Sequence, residues 1–134
     1  MTLSYLIDTD ISILLLRGNS HIEKRFQDVR GDRLAMSVIS FGELLLGPHR
    51  SSEPDEARRN IRELVSMVKA LPLPPEAALI YADVRSDLER RGQTIGSNDL
   101  WIAAHALAAG LTLVTNNEKE FRRVRGLKIE NWTK

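Results

Sequence analysis

Cysteine is absent from the 134 residues, which excludes a disulfide framework and thiolate chemistry and suits a reducing cytoplasm. No apolar run reaches the ~20 residues a membrane span requires. The segment Met1-Thr2-Leu3-Ser4-Tyr5 lacks the basic start and long apolar stretch of a signal peptide. A cytoplasmic protein without membrane attachment is expected. A strong net charge is missing too. Nineteen bases against 18 acids leave +1, so overall charge does not announce a nucleic-acid binder. The bases are lopsided, with 14 Arg against 5 Lys, and Arg is the better fork for phosphate. Internal repeats and low-complexity tracts are also lacking. What is present, at 43% hydrophobic residues, is one domain spanning 1–134 with enough apolar content for a real core.

The stretch from Ile95 to Gly110 organises the rest. It opens on Gly96 and the capping residues Ser97, Asn98 and Asp99, runs apolar on nearly every face, and stops at a glycine suited to a helix end. A helix apolar all round belongs inside a domain. Around it, strands are expected at Leu3–Ile7, Leu34–Ser37, Leu71–Pro74, Leu111–Thr115 and Leu127–Glu130. Helices are expected at Ile11–Arg17, capped by Thr9 or Asp10, and at Ser20–Val29. Gly31-Asp32 makes a turn. Ser40 caps a helix that Gly47-Pro48 stops, and residues 49–55 form a linker. Further helices cover Pro54 to Lys69, Glu76–Arg91 (with Ala78, Tyr81, Ala82, Val84 and Leu88 inward) and Glu118–Arg122. Strands alternating with helices imply an α/β fold with a mainly parallel sheet flanked by helices. Such sheets carry their functional residues beyond the carboxyl ends of the strands.

Acids fall at those ends. Asp8 follows the first strand, Glu43 lies in the helix after the second, and Asp99 opens the central helix. The loop after the fourth strand offers Asn117 and Glu120. Converging carboxylates repel and take up protons unless a cation compensates. A hard divalent ion with oxygen ligands, Mg²⁺ above all, would serve, and points to a metal-dependent phosphodiesterase. Each acid also has a structural reading. Asp8 and Asp99 can be helix caps, Glu43 a solvated helix position, and Asn117 and Glu120 turn and cap residues. His105 reads as a satisfied core histidine.

The ordered motifs Leu6-Ile7-Asp8-Thr9-Asp10, Ser40-Phe41-Gly42-Glu43-Leu44, Ile95-Gly96-Ser97-Asn98-Asp99 through Ala104-His105-Ala106, and Leu113-Val114-Thr115-Asn116-Asn117 through Glu120-Phe121 resemble the PIN-domain ribonucleases, and specifically the VapC toxins of bacterial toxin–antitoxin pairs. The tail Val124-Arg125-Gly126-Leu127 and Glu130-Asn131-Trp132 is similar as well. The resemblance covers essentially the whole chain and implies a three-layer PIN-like fold. It makes Asp8, Glu43, Asp99 and Glu120 the catalytic acids, the first three of them ligands of Mg²⁺, with Mn²⁺ as a substitute. The family often has Asp where this chain has Asn117, which leaves a second metal open. Thr115, Asn116 and Asn117 are the candidates for positioning water or phosphate, and Asp10 is not a general family acid. The resemblance further implies an RNA substrate, such as a transfer RNA or another structured RNA, a small antitoxin and a homodimer. Arg91, Arg122 and Arg123 flank the acid motifs as candidate contacts to the RNA backbone. Trp101, Trp132 and the segment 49–70 are candidates for a dimer or antitoxin surface, or for core and loop.

Three other readings compete. A phosphatase could claim Asp8-Thr9-Asp10, but its chemistry wants a downstream lysine, and none lies between Lys69 and Lys119. A receiver domain needs a phosphoacceptor Asp after a middle strand, and Leu71–Pro74 offers none. A catalytically weakened PIN-like module that mainly holds a protein partner is invited by Asn117 and opposed by the three intact acids.

Overall fold

The computed structural model describes residues 2–30 and 33–134; the expected turn at Gly31-Asp32 lies outside the described residues. The chain runs β1 (Tyr5–Ile7), α1 (Thr9–Leu16), α2 (Ser20–Val29), β2 (Leu34–Ser37), α3 (Val38–His49) and α4 (Pro54–Met67). It continues through β3 (Lys69–Leu71), α5 (Glu76–Arg90), α6 (Ser97–Ala109), β4 (Thr112–Val114), α7 (Glu118–Phe121) and β5 (Ile129–Glu130). The strands form one sheet in the order β3-β2-β1-β4-β5, and every pairing is parallel. The expected α/β architecture is therefore present.

Alternation along the strands builds the three layers. Leu6, Ala35 and Leu113 turn to one face and pack with Leu88, Leu100, Ile102, Ala103 and Ala106 of α5 and α6. Ile7, Leu34, Met36 and Val114 turn to the other and pack with Ile11, Ile22, Leu44, Ile61 and Leu64 of α1 to α4. Because both faces are covered, the strands read as continuous apolar runs. In α6 the five residues Ile102 to Ala106 are each no more than 1% exposed, and three of them are alanines. Gly110 ends α6 in the left-handed region at φ +68°, which a side chain would strain.

Several boundaries differ from expectation for identifiable reasons. The cap of α1 is Asp8, not Thr9 or Asp10, because its Oδ1 accepts the Ile11 N–H at 2.9 Å. The cap of α3 is Ser37, whose hydroxyl accepts the Ile39 N–H; Ser40 lies inside the helix. Gly47 and Pro48 do not stop α3. Pro48 is buried one residue before the helix end, and its missing N–H costs one bond in the last turn without ending the helix before His49. In α5 the fully buried alanine is Ala77, while Ala78 and Ala82 are exposed. The third strand precedes its prolines: β3 ends at Leu71 and sits at the sheet edge, as proline-rich flanks favour.

Candidate active site

From β1 the chain adds β2 and β3 on one side of the sheet and returns to add β4 and β5 on the other. The direction of winding thus switches between β1 and β4, which is where parallel sheets open a crevice at their carboxyl ends. Asp8 stands one residue beyond β1 and Thr115 one beyond β4. Glu43 is midway along α3, and Asp99 is the third residue of α6. A pocket of about 230 Å³ at this point is lined by Asp8, Thr9, Asp10, Glu43, Asp99 and Asn117. The three acids singled out from sequence are therefore brought together, along with Asp10 and Asn117.

Asp8, Glu43 and Glu120 have specific partners. Asp8 is 4% exposed; besides capping α1 it accepts the Thr115 hydroxyl on Oδ2 at 2.5 Å. Thr115 in turn accepts the Asn117 N–H at 2.9 Å. Glu43 accepts the Thr9 hydroxyl at 2.5 Å and the Asn98 amide at 3.3 Å, one on each oxygen. The Asn117 amide donates to Glu120 at 3.0 Å, which links the fourth expected acid to the pocket wall. Asn116 faces the C-terminal tail instead, through Asn131 and Thr133.

Burial dominates the electrostatics. It raises the Asp8 carboxyl to about 7 against the two hydrogen bonds from Thr115 and Ile11, with Asp10 and Asp99 adding repulsion. Asp99 is raised to about 6, again first by burial and then by the charges of Glu120, Glu43 and Asp10. The N-terminus of α6 has no side-chain cap, so Asp99 is not taken up as a helix cap. Among the described residues, no three His, Asp or Glu side chains are already gathered into a group that could hold a metal ion.

The remaining candidates are placed as follows. Arg91 is engaged on three partners: Asp87 at 2.7 Å, the Gln93 carbonyl oxygen at 2.7 Å and the Arg123 main-chain carbonyl at 2.5 Å. Arg123 donates to the Thr94 carbonyl at 2.9 Å. Arg122 pairs with Glu118 at 2.9 Å but its side chain stays 70% exposed. His105 is buried with Nδ1 2.8 Å from the Ser37 hydroxyl, as a core histidine. Trp132 is core, and Trp101 stacks on Tyr81 with ring centroids 3.8 Å apart. Sequence reading missed Thr9, Asn98 and Asn131 as partners of the site; nothing local distinguishes them from ordinary caps and turn residues.

The sheet and its acid-lined switch point define a class of α/β protein with a carboxylate site. Comparison with known proteins makes the class specific. A family model described as the PIN domain matches residues 5–127. Ribonuclease VapC1 of Haemophilus influenzae (strain R2866) is 38% identical over 132 residues, covering 97% of this chain and 98% of the relative. The tRNA(fMet)-specific endonuclease VapC of Salmonella typhimurium is 33% identical over 131 residues, covering 97% and 98%. The structure of VapBC-1 from nontypeable Haemophilus influenzae matches with a TM-score of 0.90 at 36% identity, over 100% of both chains. DNA-bound VapBC from Salmonella typhimurium matches with a TM-score of 0.91 at 33% identity, over 97% of this chain and 98% of that one. The chain belongs to the PIN-domain family and, within it, to the VapC ribonucleases.

Proposed function

We propose that this chain is an endoribonuclease toxin that hydrolyses phosphodiester bonds in RNA at the Asp8–Asp99 pocket, inhibits translation, and is restrained by a small antitoxin. The observation that carries the reading is that Asp8, Asp10, Glu43 and Asp99 all line one pocket at the switch point of the sheet. Four of its six lining residues are carboxylates, joined by the Thr9 hydroxyl and the Asn117 amide, an oxygen-rich set that suits a hard divalent cation rather than zinc or copper. Asp8, Glu43 and Asp99 are the residues that would hold Mg²⁺, or Mn²⁺ in its place. The raised carboxyls of Asp8 and Asp99 fit the same need, since they are acids still lacking a compensating positive charge. When bound, the ion supplies Lewis-acid stabilisation of the charge that develops on the phosphate.

The protein's own groups do the rest. Thr115 and the Ile11 N–H hold Asp8 with both oxygens directed; Thr9 and Asn98 do the same for Glu43. Glu120 and Asn117 close the remaining side and position water or phosphate. Arg122, with its side chain 70% exposed, is the most accessible of the three arginines for an RNA backbone. Arg91 serves structure instead, because four of its five N–H donors are already committed to Asp87, Gln93 and Arg123.

The substrate class is structured RNA, transfer RNA being the first to test. The Salmonella relative is named for tRNA(fMet). The solved neighbours are VapBC complexes, which supports a cognate antitoxin as partner. A groove of about 420 Å³ where α1, α2 and α4 meet, its apolar floor of Leu15, Leu16, Phe26, Leu64 and Met67 edged by Glu23, Gln27, Asn60 and Glu63, offers a mixed surface for such a partner. A homodimer working in the cytoplasm completes the reading. No helix among the described residues is long and apolar enough to cross a membrane.

The experiment is induction of the chain in a bacterium lacking the antitoxin. Growth should stop, Asp99→Asn should leave it unaffected, and co-expressed antitoxin should restore it. Equal arrest by both forms would remove the pocket from the account. The one observation favouring a weakened binding module is the amide at Asn117. A purified protein that binds its antitoxin but cuts no RNA with either metal would establish that reading.

A further inference from the structure

Residues 115–120 carry Thr115, Asn117 and Glu120, and beyond the two internal hydrogen bonds of Asn117 the segment is held from its two sides. Helix α7 is four residues long and has no side-chain cap. On its strand side the segment is fixed by the Thr115 N–H, which donates to the Glu130 carbonyl at 2.9 Å. On its outer side it meets the C-terminal tail. The Asn131 amide donates to Glu118 Oε2 at 2.9 Å and lies 3.3 Å from Asn116 Oδ1. The Asn131 carbonyl oxygen already accepts the Thr133 N–H at 2.9 Å, which orients the amide nitrogen towards the loop. Nor is this a loose tail. Trp132 is 1% exposed, meets Tyr5 edge-on at 5.2 Å, and donates its indole N–H to Glu130 at 3.0 Å.

We infer that Asn131 is a positioning residue for the cleavage reaction, an inference that rests on the nuclease reading above. It clamps Asn116 and Glu118, the residues on either side of Asn117, and so sets where Asn117 and Glu120 stand relative to Asp99. The hydrogen bond from Asn131 is also the largest influence holding the Glu118 carboxyl below its usual range, so the accepting group is a full carboxylate. The clamp reaches the site through two short links. Asn117 donates to Glu120, and Glu120 is the charge with the largest effect on Asp99 after burial.

The test compares the wild type with Asn131→Ala and Arg25→Ala. Arg25 pairs with Glu130 at 3.1 Å, so its loss loosens the same tail without touching the loop. Asn131→Ala should lower kcat on RNA on the order of ten-fold with KM unchanged, the usual scale for removing a partner that orients a site. Amide hydrogen exchange across 116–121 should quicken in Asn131→Ala. Arg25→Ala should lower the melting temperature while leaving kcat and exchange at 116–121 as in the wild type. Unchanged exchange in Asn131→Ala would overturn the clamp. So would a kcat loss in Arg25→Ala that tracks its loss of stability. Exchange decides the clamp even if the wild type cuts no RNA, an outcome that counts against the nuclease reading alone.

Discussion

Thr115 and Asp8 lie 107 residues apart in the chain and are joined by a hydrogen bond of 2.5 Å at the carboxyl ends of adjacent parallel strands. The same Thr115 oxygen accepts the Asn117 N–H at 2.9 Å, so one hydroxyl ties the first acid to the loop carrying the last. Thr115→Val keeps the shape and removes both bonds. It leaves a buried carboxylate and an amide short of a partner, at a cost of about 1–3 kcal/mol. Urea unfolding at neutral pH should show that loss for Thr115→Val and near wild-type stability for Thr115→Ser. Equal stability of the two variants would contradict the link.

Stability should depend on pH in the direction opposite to that of a salt-bridged acid. Asp8 and Asp99 ionise at about 7 and about 6 in the folded chain, against 3.8 for an ordinary aspartate. Between those values the folded chain holds more protons than the unfolded one. The stability these acids contribute is therefore full below about pH 4 and lost as pH rises through their folded values. Asp87 and Glu118, held low chiefly by hydrogen bonds from Arg91 and Asn131, act the other way, but only as pH falls below about 4. In chelator, the protein should melt at a higher temperature near pH 5 than near pH 8. Asp99→Asn should raise the value near pH 8 and flatten the slope. A melting temperature that climbs from acid to neutral pH would refute this.

The two serines at the start of α3 should behave in opposite ways. Ser37 caps the helix and meets His105 at 2.8 Å, both in the interior. The Ser40 hydroxyl is buried without a hydrogen-bond partner among the described residues. Ser37→Ala should cost roughly 1–2 kcal/mol, the range for a lost cap. Ser40→Ala should be neutral or stabilising, because the alanine has nothing to desolvate. Thermal melts of the two variants side by side decide the point; a larger loss at Ser40 would reverse the assignment of the cap.

Asn117→Asp replaces the donor that reaches Glu120 at 3.0 Å with a second carboxylate. Without metal at neutral pH this variant should melt below the wild type. The rise in melting temperature produced by Mg²⁺ or Mn²⁺ should be larger than in the wild type, because one more negative oxygen ligand is available. A smaller metal-induced rise would mean that the amide has a role a carboxylate cannot fill.

Much of this fold was written locally. Helix α2 and strand β2 fall where their apolar spacing placed them, and Gly110 ends α6 as a left-handed glycine should. Both serines near the start of α3 are good caps by residue type, so the choice between them depended on backbone geometry that sequence does not carry. Pro48 read as a stop because proline opposes the turn before it, yet that turn stays helical through to His49. The convergence of Asp8, Glu43 and Asp99 was legible as strand-end acids in a parallel fold. The partners that direct those acids were not. Thr9 meets Glu43 across 34 residues, Thr115 meets Asp8 across 107, and Asn131 meets Asn116 across 15. Such contacts are set by strand order, and no short window of sequence contains them.

The most direct measurement incubates purified, antitoxin-free protein with total cellular RNA in Mg²⁺, in Mn²⁺ and in chelator, beside Asp99→Asn. The account predicts discrete cleavage products that require both the metal and Asp99, with transfer RNA among the first substrates to disappear. Well-folded protein that cuts nothing with either metal, or cuts equally in chelator or without Asp99, would contradict it.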